Sequence, residues 1–237
     1  MKKQQKKWIH LLLALLTCMA VVVCISPRQV QAADEVKTFK FKGKNYRMET
    51  MYYYGGPSKL YQKTSSGWKK VASYDGNLRY CFTYKNKIYL TGGGEEDIPY
   101  TYTYTPGQKK FKKEKSHLYL KGHSEKYAIG YTGISGDPSP DGMCIYNLSN
   151  KKVKKLGDGG GISIIKNKVY YATISSSGKT MKIYRCNPDG SKKKVLKTFK
   201  AGNGKSYMAV MKVSKNKVEY MYCDEYSGEW PRVTAKF

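Results

Sequence analysis

One segment, residues 159–202, consists of four short strand-like runs separated by turn residues. The runs are apolar, β-branched or aromatic and lie at residues 162–165, 169–174, 181–185 and 195–199. Such short runs bounded by turn signals predict strands. The connections, Lys166–Lys168, Ser175–Gly178 and Asn187–Gly190, contain the residues that favour tight turns. The segment therefore predicts a four-stranded antiparallel meander, about the size of one propeller blade.

The polar turn before the second strand recurs along the chain, followed each time by an apolar and aromatic strand. Its five copies are Gly43–Tyr46, Lys85–Leu90, Ser124–Ile129, Lys166–Tyr171 and Lys215–Tyr220. They lie about 40 residues apart, which is the period of propeller blades. We therefore predict an all-β fold, a five-bladed β-propeller of four-stranded antiparallel meanders.

The rival architectures fit the repeat less well. No segment after the first 32 residues has the 3.6-residue spacing of a helix. A two-sheet sandwich also has many short strands, but it does not repeat a four-strand unit in the same order. The predicted repeats are 36–76, 77–116, 117–158, 159–203 and 204–237.

The fifth repeat contains three strand-like runs before the sequence ends. Two arrangements are compatible with this. Either the last blade is incomplete, or the N-terminal strand Val36–Phe41 completes it and closes the ring. The second arrangement has support in the sequence, because Val36–Lys40 resembles the fourth-strand segment Val195–Lys200.

Residues 1–32 have the pattern of a secretory signal peptide. Four lysines precede an apolar core at Leu11–Ile25, and Val30–Ala32 form a small-residue cleavage site. A transmembrane anchor is the alternative, but the apolar run is shorter than a full span. We expect cleavage to leave a single domain, residues 33–237, with no transmembrane span. The expected location is secreted and extracellular, associated with the cell envelope.

The chain is strongly basic, with a formal charge of +27. The leader holds five basic and no acidic residues, so residues 33–237 carry +22. Such a surface attracts anionic partners. The alternative is that the lysines keep the sheet edges soluble and unpaired. We expect an anionic polymer of the envelope or a protein partner, rather than nucleic acid; the sequence does not define the oligomeric state.

Candidate binding residues follow from the meander, because successive connections alternate between the two ends of a blade. One end should collect the lysines of the first turn, which are Lys126 and the candidate binding residues Lys44, Lys85, Lys87, Lys166, Lys168, Lys215 and Lys217. The opposite end should collect acidic loops that contain Glu95, Glu96, Asp97, Asp137 and Asp141. The sequence therefore predicts two ends of opposite charge, each able to bind a ligand.

Little in the sequence points to catalysis. The acidic loops could serve a carbohydrate-active enzyme, or calcium, although they lack the regular spacing of a calcium loop. His117 and His123 stand at opposite ends of a short strand and do not form a metal site by themselves. We predict no catalytic residues, no metal and no cofactor.

Four cysteines remain after the leader: Cys81, Cys144, Cys186 and Cys223. An even number in an exported chain permits two disulfides. Buried or half-buried thiols are the alternative. The sequence leaves both open.

The pattern of polar turn, Val-Tyr-Tyr strand, Ile-Tyr-Arg strand and Asn-Pro-Asp-Gly turn in residues 166–190 resembles exported bacterial propeller repeats. These repeats are related to the TolB type and to the YWTD repeats of low-density-lipoprotein-receptor propellers. The YWTD tetrad itself is absent here. The resemblance implies a binding platform. The predicted function is an exported, non-catalytic binding or scaffold module; the alternative is a carbohydrate-active propeller enzyme that uses the acidic loops.

Overall fold

The computed structural model describes residues 35–50, 56–93, 99–114, 117–132 and 142–237. The chain divides into two units, Met1–Ala33 and Asp34–Phe237. All described residues belong to the second unit. The predicted signal peptide and the acidic residues Glu95, Glu96, Asp97, Asp137 and Asp141 lie outside the described residues.

The described part contains 19 strands in five antiparallel sheets. The first sheet comprises β1 (Glu35–Phe41), β2 (Lys44–Thr50), β3 (Ser58–Thr64) and β4 (Gly67–Tyr74). The second comprises β5 (Asn77–Tyr84), β6 (Lys87–Gly93), β7 (Pro99–Tyr104) and β8 (Lys112–Lys113). The third comprises β9 (Leu118–Ser124), β10 (Tyr127–Thr132), β11 (Met143–Asn147) and β12 (Val153–Gly157). The fourth comprises β13 (Gly159–Ile165), β14 (Lys168–Ile174), β15 (Thr180–Cys186) and β16 (Lys194–Lys200), and the fifth β17 (Lys205–Val213), β18 (Lys217–Asp224) and β19 (Arg232–Lys236).

Within every sheet the strands are hydrogen-bonded in chain order. The prediction of antiparallel four-stranded meanders is therefore confirmed for the first four sheets. The fifth sheet has three strands in the described part of the chain. The predicted arrangement in which Val36–Phe41 completes this sheet is wrong. β1 instead pairs along its whole length with β2, from Glu35 opposite Thr50 to Phe41 opposite Lys44. A two-residue turn joins β1 to β2, so their pairing closes a very short loop. Pairing of β1 with the fifth sheet would require the two ends of a long chain to meet, which costs more entropy.

Left-handed turn residues explain why the first two strands of a sheet form tight hairpins. Lys42 and Gly43 have φ values of 48° and 74°, and Lys166 and Asn167 have 47° and 56°. Two successive residues with positive φ give the turn whose twist matches that of the flanking strands. Glycine and asparagine adopt this conformation readily. The register of these two hairpins is thereby fixed by their turns.

The core lies between successive sheets. β2 contacts β5, and β5, β9, β13 and β17 contact each other in that order. Between the first two sheets Tyr46, Leu60, Ile88 and Leu90 are fully buried. Three further apolar clusters fill the spaces between the second and third, third and fourth, and fourth and fifth sheets. Each meander thus buries a face against its neighbour, which it could not do alone.

Buried hydroxyl groups join neighbouring sheets at the end opposite the tight turns between first and second strands. Ser58 Oγ donates to the Gly76 carbonyl at 2.7 Å and accepts from the Leu78 N–H at 2.8 Å. Thr50 Oγ1 donates to the Leu78 carbonyl at 2.7 Å. In the next sheet, Thr101 Oγ1 donates to the Leu118 carbonyl at 2.9 Å. These bonds satisfy backbone groups at the start of the next sheet and fix where it packs.

Candidate functional site

The turn end is the end of a sheet where its first strand joins the second and its third joins the fourth. Hydrogen bonds connect the turn ends of neighbouring sheets. They join Tyr84 Oη to Ser149 Oγ (2.5 Å), Ser124 Oγ to Asn167 Oδ1 (2.7 Å) and Ser163 Oγ to the Val213 carbonyl (2.5 Å). In the first sheet, Phe41 and Tyr46 share a cluster with Tyr104, which ends β7. The turn ends of all five sheets therefore lie on one side.

The seven lysines predicted to bind a ligand are all turn residues or the first residues of a second strand. Five of them are exposed, and within the described part of the chain their side chains make no hydrogen bond or ion pair: Lys44, Lys85, Lys166, Lys215 and Lys217. The remaining two are half-buried and make internal contacts. The structure thus places the predicted residues at one end, but it separates them into two groups.

Lys87 and Lys168 use their ammonium groups within the protein. Lys87 Nζ lies 4.0 Å from Glu114 Oε1. Lys168 Nζ donates to Asn187 Oδ1 at 2.6 Å, which connects the first turn of the fourth sheet to its third. An ammonium held in this way has fewer free donors for a ligand.

Two further lysines at the turn end also connect structural elements. Lys151 Nζ donates to Tyr89 Oη and to Glu114 Oε1, both at 3.2 Å, and so joins the third sheet to the second. Lys154 Nζ donates to the carbonyl of Gly190 at 3.0 Å, which joins the third sheet to the fourth. Sequence reasoning missed both connections, because their partners lie in a neighbouring repeat and no local pattern identifies them.

The environment of Lys151 keeps it cationic. Burial alone would lower its pKa, but the hydrogen bond to Tyr89 and the nearby Tyr146 and Glu114 outweigh that effect and raise the pKa. The ammonium also lies 5.2 Å from the Tyr89 ring centroid and 5.6 Å from that of Tyr146. Lys151 is therefore a charged link between the second and third sheets.

Carboxylates are sparse at the turn end: besides Glu114, which contacts Lys87 and Lys151, two lie in the turns. Glu125 lies in the first turn of the third sheet, and Asp189 in the third turn of the fourth. Hydrogen bonds from Ser191 hold the pKa of Asp189 below its ordinary value. Lysines outnumber these two carboxylates several-fold in the turns. The excess of lysines therefore gives the turn end a positive electrostatic potential.

The opposite end, here called the loop end, holds the described carboxylates Asp75, Asp158, Asp224 and Glu225. Glu225 pairs with Lys179 at 2.6 Å. The five acidic residues on which the carbohydrate-active alternative depends lie outside the described residues, so that alternative stays a prediction. Also at this end, Tyr226 is 83% exposed, although nothing in the sequence distinguished this tyrosine from the others.

The histidines pack on aromatic rings, and Lys113 lies over the same Tyr100 ring as His117. His123 stacks on Phe82 with ring centroids 4.6 Å apart, and burial lowers its pKa. His117 packs against Tyr100 at 4.7 Å. Among the described residues, no three His, Cys, Asp or Glu side chains converge as metal ligands.

The four cysteines are free thiols. Cys144 and Cys186 are buried, whereas Cys81 and Cys223 are half-buried. Burial raises the pKa of Cys81 and of Cys144 to about 12. The sequence left disulfides and free thiols open, and the structure contains free thiols.

In the ranges that the structure describes, no helix has the length and apolarity needed to cross a membrane. No protein-family model matches the chain, and no curated protein matches its sequence. The relation to TolB-type and YWTD propellers therefore stays a prediction.

Solved structures show a weak similarity. The β-propeller domain of the Trilobed protease from Pyrococcus furiosus is 14% identical, with a TM-score of 0.43, over 85% of this chain and 67% of that domain. A structure of prolyl endopeptidases is 10% identical, with a TM-score of 0.46, over 86% of this chain and 35% of that one. A GH43_1 enzyme from Xanthomonas citri in complex with xylose is 7% identical, with a TM-score of 0.33, over 85% of both chains.

The chain spans much less than the full length of several matched proteins. It covers 21% of the tricorn protease and 39% of a puromycin-hydrolysing peptidase from Mycobacterium tuberculosis. At TM-scores below 0.5 these similarities assign neither an activity nor a ligand to this chain. What the structure itself establishes is an all-β unit of five antiparallel sheets with lysine-rich turns on one side.

Proposed function

We propose that residues 33–237 act as a secreted, non-catalytic binding module that holds an anionic polymer of the cell envelope against its turn end. The proposed architecture is a five-bladed propeller, in which the first strands of the second to fifth sheets line the centre. The consecutive contacts of β5, β9, β13 and β17 support this arrangement. The signal-like leader supports export.

One observation carries the binding proposal. The five turn ends lie on one side, and five exposed lysines there make no side-chain hydrogen bond or ion pair among the described residues: Lys44, Lys85, Lys166, Lys215 and Lys217. Exposed, unpaired charges of one sign create a potential that attracts and orients a polyanion. Because the ammonium groups are already solvated and free, binding requires no internal ion pair to break.

Salt-dependent binding tests the proposal. Residues 33–237 are titrated with poly(glycerol phosphate) in a calorimeter, with uncharged dextran as the control polymer. If about five lysines each contribute about 0.7 to the salt slope, as for single-stranded polyphosphates, affinity falls about a hundredfold between 50 and 200 mM salt. Equal heats with dextran, or affinity that is independent of salt, would contradict the proposal.

Substitution of the five acidic loop residues distinguishes the binding module from the carbohydrate-active alternative. Alanine at Glu95, Glu96, Asp97, Asp137 and Asp141 leaves polymer affinity unchanged in a binding module. In an enzyme of the alternative kind, the five substitutions abolish release of reducing sugar from a glycan. Loss of such turnover in the variant would establish the alternative instead.

A further inference from the structure

Among the lysines at the turn end, two groups of three differ in their contacts, and the sequence does not distinguish them. Lys42, Lys44, Lys126 and Lys217 are also exposed at this end. The linking lysines, Lys151, Lys154 and Lys168, donate to protein acceptors at 2.6 to 3.4 Å. The tip lysines, Lys85, Lys166 and Lys215, lie in the first turns of the second, fourth and fifth sheets. No side-chain hydrogen bond or ion pair holds a tip lysine within the described ranges; Lys85 has only the ring of its neighbour Tyr84, at 5.6 Å.

The backbone at two tip positions is unusual. Lys85 and Lys166 have φ values of 51° and 47°. Left-handed φ is uncommon for a residue that is neither glycine nor asparagine. The turn nevertheless places lysine there in the second and fourth repeats, and Lys42 and the linking residue Lys151 have similar φ values of 48° and 63°. Local packing does not explain this choice, because both side chains are exposed.

The cations in these turns are of one chemical type. Every basic residue in the described first and third turns is lysine, and none is arginine. Arginine binds carboxylate and phosphate alike through two parallel hydrogen bonds, whereas lysine binds as a point charge and is a common ligand of phosphate. Separate point charges on short turns match a flexible polymer with one charge per unit.

We propose that the three tip lysines, and not the linking lysines, make the direct contacts of the turn end, and that their ligand is a linear phosphodiester polymer. This inference rests on the proposed function. The linking lysines contribute charge at a distance, and their main role is to join neighbouring sheets and turns. At physiological salt, charges beyond about 8 Å are largely screened, so direct contacts dominate affinity.

Two matched triple variants of residues 33–237 test the assignment. The tip variant is Lys85→Gln/Lys166→Gln/Lys215→Gln, and the linking variant is Lys151→Gln/Lys154→Gln/Lys168→Gln. Both remove three charges from the same end. The measurements are the dissociation constant for poly(glycerol phosphate) at four salt concentrations and the melting temperature of each variant.

We expect the tip variant to bind about tenfold more weakly and its salt slope to fall by about two, because three ion contacts are lost. Its melting temperature should stay that of the parent. The linking variant should keep the parental salt slope and melt at a lower temperature. Equal loss of affinity and slope in both variants would overturn the assignment while leaving polyanion binding intact.

A separate titration tests the chemical class of the ligand. The parent is titrated with poly(glutamate) of the same length and charge as the phosphodiester polymer, and phosphodiester binding should be tighter. Equal or tighter binding of poly(glutamate) would overturn the phosphodiester assignment. Absence of binding to either polymer by the parent would instead refute the proposed function itself.

Discussion

Ser58→Ala should destabilise the protein strongly although it removes a single oxygen atom. Ser58 is fully buried, and its hydroxyl makes two hydrogen bonds, one to the Gly76 carbonyl and one from the Leu78 N–H. Alanine leaves both backbone groups without this partner. Each buried group left unsatisfied costs about 1–3 kcal/mol, so the expected loss for the two groups is about 2–6 kcal/mol. That is a large part of a typical unfolding free energy of about 5–15 kcal/mol.

Urea unfolding followed by circular dichroism measures this loss. With a slope near 2 kcal/mol per molar urea, the midpoint should fall by about 1–3 M at an unchanged slope. Ser73→Ala is the matched control, because Ser73 is exposed on the same sheet and its hydroxyl makes no hydrogen bond within the described residues. The control should change stability by less than about 0.5 kcal/mol. Similar losses for the two variants would refute the role assigned to the buried hydroxyl.

Three further predictions concern chemistry, pH and solubility. Cys144 should resist alkylation at pH 8 in the native state, because burial raises its pKa to about 12, and mass spectrometry should find four free thiols after denaturation without a reductant. Because burial lowers the pKa of His123, the unfolded state binds more protons, so stability should fall as pH drops below about 6.5 and fall less in His123→Gln; identical pH profiles would contradict this. Threonine in place of the lysines of β16, which pairs on one side only, should increase aggregation more than it lowers the melting temperature; unchanged light scattering would count against this edge role.

Much of the fold followed from local sequence. Val169–Ile174 and Met181–Arg185 lie within β14 and β15, because alternating β-branched and aromatic residues between turn signals favour strands wherever the sheets pack. The position of the N-terminal strand was harder to predict. Val36–Lys40 resembles a fourth strand, yet the tight turn at Lys42 and Gly43 pairs it with β2. The turn next to this strand therefore determined its pairing partner, and its similarity to another strand did not.

The candidate site was predictable only in part. Alternation of the connections placed Lys44, Lys85 and Lys166 at one end from sequence alone. The internal roles of Lys87 and Lys168 were not predictable, because Glu114 and Asn187 approach them only after the sheets form. A lysine held by a protein acceptor and a free lysine have the same appearance in a sequence.

Acetylation of lysines, quantified by mass spectrometry with and without poly(glycerol phosphate), tests the central claim most directly. Bound polymer should protect the exposed tip lysines Lys85, Lys166 and Lys215. Lys182 and Lys200, which are exposed toward the loop end, should be modified at unchanged rates. Equal protection of both groups would contradict the account, because it would mean that the polymer responds to net charge rather than to one end of the five sheets.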